Sequence, residues 1–265
     1  MRRRRRRPTP RRSPRAPRRT GRPPADESGP TGRSPLHDDL PPRPGRGRHP
    51  GYWQRLAPEL ASRGHTPLPV DLPQHDERLG WDELTDVAQA TLDAAPVPGA
   101  PVVVAQSMGA YVGGLLAHRV PVRLLVLLNP MVPHPGESGG SWWDATGHDD
   151  ARTAAGLGPF DPVRDFFHDV PVDVTARTLA GEDRAPSARS FAEPWPAPAW
   201  PDVPTVVLQG RDDRLFPPSF QRAVTRDRLG LDVQEMPGGH LVALSRPAEL
   251  ADRLLALADG APAVP

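Results

Sequence analysis

Three positions with chemically capable side chains each close a run that reads as a strand. Ser107 ends VVVAQ, the pair Asp212 and Asp213 follows VVLQG, and His240 follows VQEMPGG. Taken singly, each has a plain reading. A serine where a strand gives way to a helix is an N-cap or a nucleophile, two aspartates after a strand are a solvated turn, and Gly-Gly-His is a loop. Taken together, they stand at the carboxyl ends of strands in what reads as an open parallel sheet, which is where such sheets bind ligands. Their chain order is Ser, Asp, His, with 106 residues from Ser107 to Asp213 and 27 from there to His240.

The elements that must carry these positions alternate. From Gly51 the spacing predicts a helix in YWQRLAPELASRGH with Gly64 as its stop, a short strand in TPLPVDLP ending at Asp71, and an amphipathic helix in GWDELTDVAQATLDAA. Strand PVVVAQ, helix MGAYVGGLLAHR and strand VRLLVLLNP follow. After residue 200 come strand TVVLQG, helix PSFQRAVTRDRLG, strand DVQEMPG and helix RPAELADRLLALAD. This alternation implies parallel βαβ units with strands buried on both faces. Residues 131–200 break the rhythm: they hold Trp142, Trp143, Trp195 and Trp200, many prolines and only short helical stretches. The expected architecture is one doubly wound, mostly parallel α/β domain over residues 51–265, with a helical cap at about 131–200.

Charge divides the 265 residues unevenly. Residues 1–50 carry sixteen Arg against four acidic residues, a net +12, and residues 51–265 carry a net −11. The basic segment lacks apolar periodicity, so it is expected to be a disordered Arg/Pro-rich tail. No apolar core follows its arginines, so no export signal is read there. No run of about 18 apolar residues occurs, so no spanning helix is expected, and the expected location is cytoplasmic. Cysteine is absent, which excludes disulfides and thiolate metal sites. All thirty-three basic residues are Arg, a bias expected of a GC-rich coding sequence.

Over residues 51–259 the sequence resembles the α/β-hydrolase superfamily, whose nucleophile elbow G-x-S-x-G and Ser, Asp, His order it follows. The elbow reads Ala105-Gln106-Ser107-Met108-Gly109, with alanine in place of the first glycine. The tight turn tolerates this because it needs small flanking side chains. Gly210-Arg211-Asp212-Asp213-Arg214-Leu215-Phe216-Pro217 is similar to the family's G-x-x-D-x-x-x-P segment, which favours Asp213, and Gly238-Gly239-His240 to its G-G-H. The resemblance implies that Ser107 attacks an acyl carbon, His240 takes its proton, Asp213 holds the imidazole tautomer, and the Met108 N–H is one oxyanion donor. YWQRLAPELASRGHTPLPVDLP looks like the corresponding segment of esterase-like members, a group that includes plant methyl esterases and hydroxynitrile lyases. MVPHPGESGGSWWDATGH looks like the start of the cap in a bacterial branch. Trp142 and Trp143 either line an acyl pocket or pack the cap.

The implied function is a serine hydrolase cleaving a small ester, amide or lactone, with a small-molecule substrate and neither cofactor nor metal nor membrane partner. A lyase-like or catalytically impaired homologue and, less strongly, a nucleic-acid binder acting through the Arg tail are the competing readings. His148-Asp149-Asp150 and His75-Asp76-Glu77 read as solvated loop charge rather than metal ligands. His65 reads as a turn residue, and His118 suits a helix C-terminus. One piece of the family pattern is missing. PPRPGRGRHPG stands where an inner strand and the loop with the second oxyanion donor are expected, and proline and arginine do not form such a strand. Residues 1 to about 49 are therefore expected to stem from a wrong start or a frame shift.

Overall fold

A computed structural model describes residues 51–95, 99–181 and 185–261. The expectations for the Arg-rich tail and for a replaced strand before Gly51 fall outside these residues. Among them, four parallel strands form one sheet in the order β1 (Val102–Gln106), β2 (Leu124–Leu128), β3 (Thr205–Gly210), β4 (Val233–Met236). The expected mostly parallel α/β architecture is present.

Strand periodicity explains how both faces are covered. Successive side chains of a strand point to opposite sides. From β2, Leu124, Val126 and Leu128 pack with Leu56 of helix α1 (Leu56–Ser62) and with Leu250, Ala251 and Leu254 of the C-terminal helix Pro247–Gly260. Leu125 and Leu127 face the other way, onto Ala110 and Ala117 of the helix Gly109–Arg119. All five β2 residues are buried, so its unbroken apolar run is what burial on two faces demands.

Numbered in chain order, α2 is Trp81–Asp93, α3 is Gly109–Arg119, α4 to α8 are Gly139–Thr146, His148–Ala154, Pro162–Phe166, Val172–Leu179 and Ala188–Ala192, α9 is Pro218–Leu229, α10 is Val242–Ser245 and α11 is Pro247–Gly260. Helix α2 is fastened to α3 by a stacked Trp81–Tyr111 pair with centroids 4.5 Å apart. The segment between β2 and β3 carries α4 to α8, and its Trp195 and Trp200 pack against Gly114 of α3. Trp195 Nε1 donates to the Tyr111 carbonyl at 3.1 Å and its ring stacks on Trp200.

One expected strand is absent. Residues 66–72 carry no sheet assignment, and Val70 and Leu72 pack instead against the cluster around Trp81 and Tyr111. Pro67, Pro69 and Pro73 remove three backbone donors from this stretch, so it is poorly equipped to join a ladder.

The elbow alanine has a packing explanation. A β-carbon on Gly113 of α3 would lie 2.7 Å from the Ala105 β-carbon, so α3 can approach β1 because the second of the two residues is glycine. At Gly109, by contrast, a β-carbon would meet nothing within 4 Å outside its own helix and chain neighbours; the small residue needed on that flank is not set by crowding from elsewhere. Gly113→Ala is expected to cost about 1–3 kcal/mol through overpacking, outweighing alanine's helix propensity. Adding Ala105→Gly should restore most of the loss, as read by thermal denaturation of the two variants and the parent.

Candidate active site

The strand register sets the three candidate residues side by side. Gln106 pairs with Leu128, and Leu128 with Leu208, so the chain leaves β1, β2 and β3 along one edge. Ser107 follows immediately, its N–H donating to the Leu128 carbonyl at 3.0 Å. Its φ is +51°, a left-handed conformation that costs a non-glycine residue energy and persists only where the surroundings enforce it. The Ser107 carbonyl accepts the N–H groups of Ala110 and Met131, each at 3.1 Å, and these bonds hold the strained turn.

Ser107 Oγ lies 3.1 Å from His240 Nε2, and His240 Nδ1 lies 2.8 Å from Asp213 Oδ2. With the proton on Nδ1, the imidazole donates to Asp213 and accepts from Ser107, so a single tautomer satisfies both bonds. His240 and Asp213 are buried. Asp213 Oδ1 accepts the Leu215 and Phe216 N–H groups at 2.8 and 3.0 Å, and Oδ2 also accepts Gln209 Nε2 at 3.3 Å. Asp212 points elsewhere and accepts the Gly238 N–H at 3.1 Å. Of the two aspartates, the second is the one that meets the histidine.

Met108 is the N-cap of α3, and among the described residues no acceptor takes its N–H. The loop expected to supply a second donor lies outside the described residues. Trp142 is fully buried, with its indole N–H on the Val132 carbonyl at 3.0 Å, which is packing and leaves no face for a ligand. Trp143 is partly buried and sits behind Phe216, centroids 5.9 Å apart, while Phe216 and Phe166 flank the His240 ring at 5.1 and 5.2 Å. The aromatic lining next to the histidine thus consists of phenylalanines that the sequence reading did not single out.

Two further residues join the site. Asn129, just past β2, is buried; its Oδ1 accepts the Gly210 N–H at 2.7 Å and its Nδ2 donates to the carbonyls of Gly239 and His240 at 3.2 and 2.8 Å. Its own φ of +43° is one that asparagine tolerates better than most residues. Gln209, also buried, donates from Nε2 to the Phe216 carbonyl at 3.0 Å in addition to Asp213. The available signal was a polar amide ending or interrupting an otherwise apolar strand.

The histidine clusters separate. Asp76 pairs with Arg78 at 2.6 Å, which holds its carboxyl well below the usual range, and Glu77 accepts the Ala188 N–H; this is the expected surface charge. His65 is exposed, and His118, in the last turn of α3, meets the Ala199 carbonyl at 3.0 Å. His148 corrects the expectation of a solvated loop. It is buried at the start of α5, with Nε2 2.8 Å from the Leu215 carbonyl and its ring among Trp143, Phe216 and Phe220. Among the described residues no group of acidic or histidine side chains is arranged to hold a metal ion, and no helix is long and apolar enough to cross a membrane.

The model of the alpha/beta hydrolase family matches residues 44–253, and the chain belongs to that family. No curated protein matches it. Among solved structures, a pyrethroid hydrolase from Sphingobium faniae JZ-2 is similar at 20% identity and a TM-score of 0.61, over 80% of this chain and 93% of its own. Polyneuridine aldehyde esterase is similar at 18% identity and a TM-score of 0.65, over 79% and 94%. A methylesterase from Arabidopsis is similar at 17% identity and a TM-score of 0.62, over 81% and 96%. These likenesses establish a shared fold.

Burial lowers the pKa of His148, against the opposing pull of the Leu215 carbonyl and Asp149. The unfolded chain therefore binds the proton more readily, and stability present above about pH 6.5 is lost as pH falls through the histidine range. The urea midpoint should drop between pH 7.5 and pH 5.5, and His148→Gln should reduce that drop. An unchanged pH dependence in the variant would remove His148 as its source.

Proposed function

We propose that the chain is a serine hydrolase acting on a small carboxylic ester, amide or lactone through an acyl-enzyme. The observation that carries this reading is the unbroken pair of hydrogen bonds, 3.1 Å from Ser107 Oγ to His240 Nε2 and 2.8 Å from His240 Nδ1 to Asp213 Oδ2. The esterase and hydrolase names of the structural neighbours favour esters within this class. Residues 131–200 act as a cap over the site.

In the proposed mechanism Ser107 Oγ attacks the acyl carbon while its proton passes to His240 Nε2. The Asp213 carboxylate stabilises the resulting imidazolium. Negative charge on the carbonyl oxygen is met by the Met108 N–H at the amino end of α3. His240 then gives the proton to the departing alcohol or amine as the bond to it breaks, leaving Ser107 acylated. Water, deprotonated by His240, attacks the acyl carbon and releases the acid, and the proton returns to Ser107. The strained φ of Ser107 supports a turn held to present this hydroxyl.

Rapid mixing with a p-nitrophenyl ester of a short acid tests this. The expectation is a burst of about one equivalent of p-nitrophenol per chain before slower steady turnover. Asp213→Asn should lower kcat by about 10³–10⁴-fold, because the amide favours the wrong imidazole tautomer. Turnover without a burst in the parent, together with an unimpaired Asp213→Asn variant, would contradict the proposed roles.

A further inference from the structure

The cap reaches the candidate base through its backbone. Between α6 and α7, Asp169 Oδ2 accepts the N–H of Gly239 at 2.8 Å, the residue just before His240. Phe166, the last residue of α6, lays its ring 5.2 Å from the His240 ring. The approach is so close that a β-carbon on Gly239 would lie 2.5 Å from His168 Nε2 and 2.8 Å from Asp169 Oδ1. A side chain at Gly239 would have to displace the His168 and Asp169 side chains. Beyond His240 the chain is tied once more in α10, where the Ala243 N–H donates to the Tyr52 hydroxyl at 3.2 Å.

This contact is expensive for a purely structural one. Asp169 Oδ1 and His168 Nε2 are buried with no hydrogen-bond partner among the described residues, and an orphaned buried polar atom costs free energy. An uncharged amide side chain of the same reach would serve a simple loop tie without stranding a charged oxygen. What a carboxylate provides is a strong, charge-assisted acceptor for one backbone N–H. That N–H sets the direction in which the chain enters His240.

We propose that Asp169 is a positioning residue for His240: the cap delivers its carboxylate to the Gly239 N–H and so aligns the imidazole with Ser107 when the cap is seated. The inference rests on the serine-hydrolase reading of the site. Asp169 touches neither substrate nor reacting atoms, and it acts through the loop. The ester turnover of this chain therefore depends on a cap residue outside the Ser107, His240 and Asp213 set.

The test uses the full chain with Asp169→Ala, Asp169→Asn and, as a surface control, Asp173→Asn, whose carboxylate pairs with Arg177 at 2.9 Å on the exposed side of α7. On a p-nitrophenyl ester, Asp169→Ala should lower kcat about 10–100-fold with KM within about 3-fold, as expected when a reacting group is slightly misplaced. Asp169→Asn still offers an oxygen to Gly239 and should recover most of the rate, and Asp173→Asn should match the parent. Amide hydrogen exchange over residues 237–242 should accelerate in Asp169→Ala and not in Asp169→Asn. Should alanine prevent folding, Asp169→Ser, too short to reach Gly239, takes its place. A parent that reacts through Ser107 while Asp169→Ala keeps full kcat, or while Asn and Ala are equally impaired, overturns the role of Asp169 alone. A parent with no Ser107-dependent reaction overturns the hydrolase reading and this role with it.

Discussion

The amide of Asn129 is the fastening on which the site geometry depends. It stands one residue past the fully buried strand β2 and spends both its ends on neighbouring segments: its oxygen on the N–H of Gly210 at the end of β3, its nitrogen on the carbonyls of Gly239 and His240. On the other side of β2, the Leu128 carbonyl takes the Ser107 N–H. One row of residues at one sheet edge thus fixes the hydroxyl, the carboxylate and the imidazole relative to each other. In a buried setting each of these bonds, if left unmade, would cost about 1–3 kcal/mol, so the loops have little freedom to drift apart.

The acid loop is gripped from above as well as below. His148 holds the Leu215 carbonyl, and Arg152 donates to the carbonyl of Arg214. Arg152 is itself paired with buried Asp165 at 2.8 Å. Burial alone would raise the Asp165 carboxyl, but Arg164, the Asp161 N–H and Arg152 outweigh it and lower its pKa. Breaking such a buried pair leaves an uncompensated charge. The segment over the sheet is therefore bolted to the loop that carries Asp213, and through Asp169 it reaches the loop that carries His240.

Where a signal is local and repeated, it was legible. The alternation of apolar runs and amphipathic stretches yielded β1 to β4 and the helices between them, because burial on two faces leaves a continuous apolar strand. The elbow at Ser107 and the choice of Asp213 over Asp212 rest on the family pattern; in the structure Asp213 bonds His240 while Asp212 accepts the Gly238 N–H. Long-range polar contacts were not legible. In the sequence Asn129 reads as part of the strand VRLLVLLNP, and its role depends on Gly210 and Gly239, far along the chain. The sequence around His148 reads as loop charge because the residues that bury it, Phe216 and Phe220, lie far along the chain. TPLPVDLP had strand-like apolar residues, yet its prolines and its packing on Trp81 and Tyr111 kept it out of the sheet.

The central claim is that Ser107 is a nucleophile activated by His240. Exposing the purified 265-residue chain to a fluorophosphonate and mapping the adduct by mass spectrometry tests it most directly. The account predicts a single phosphonyl group on Ser107 in the parent chain and none in Ser107→Ala. A folded parent chain that takes up no phosphonate, or an adduct that persists in Ser107→Ala, would contradict it.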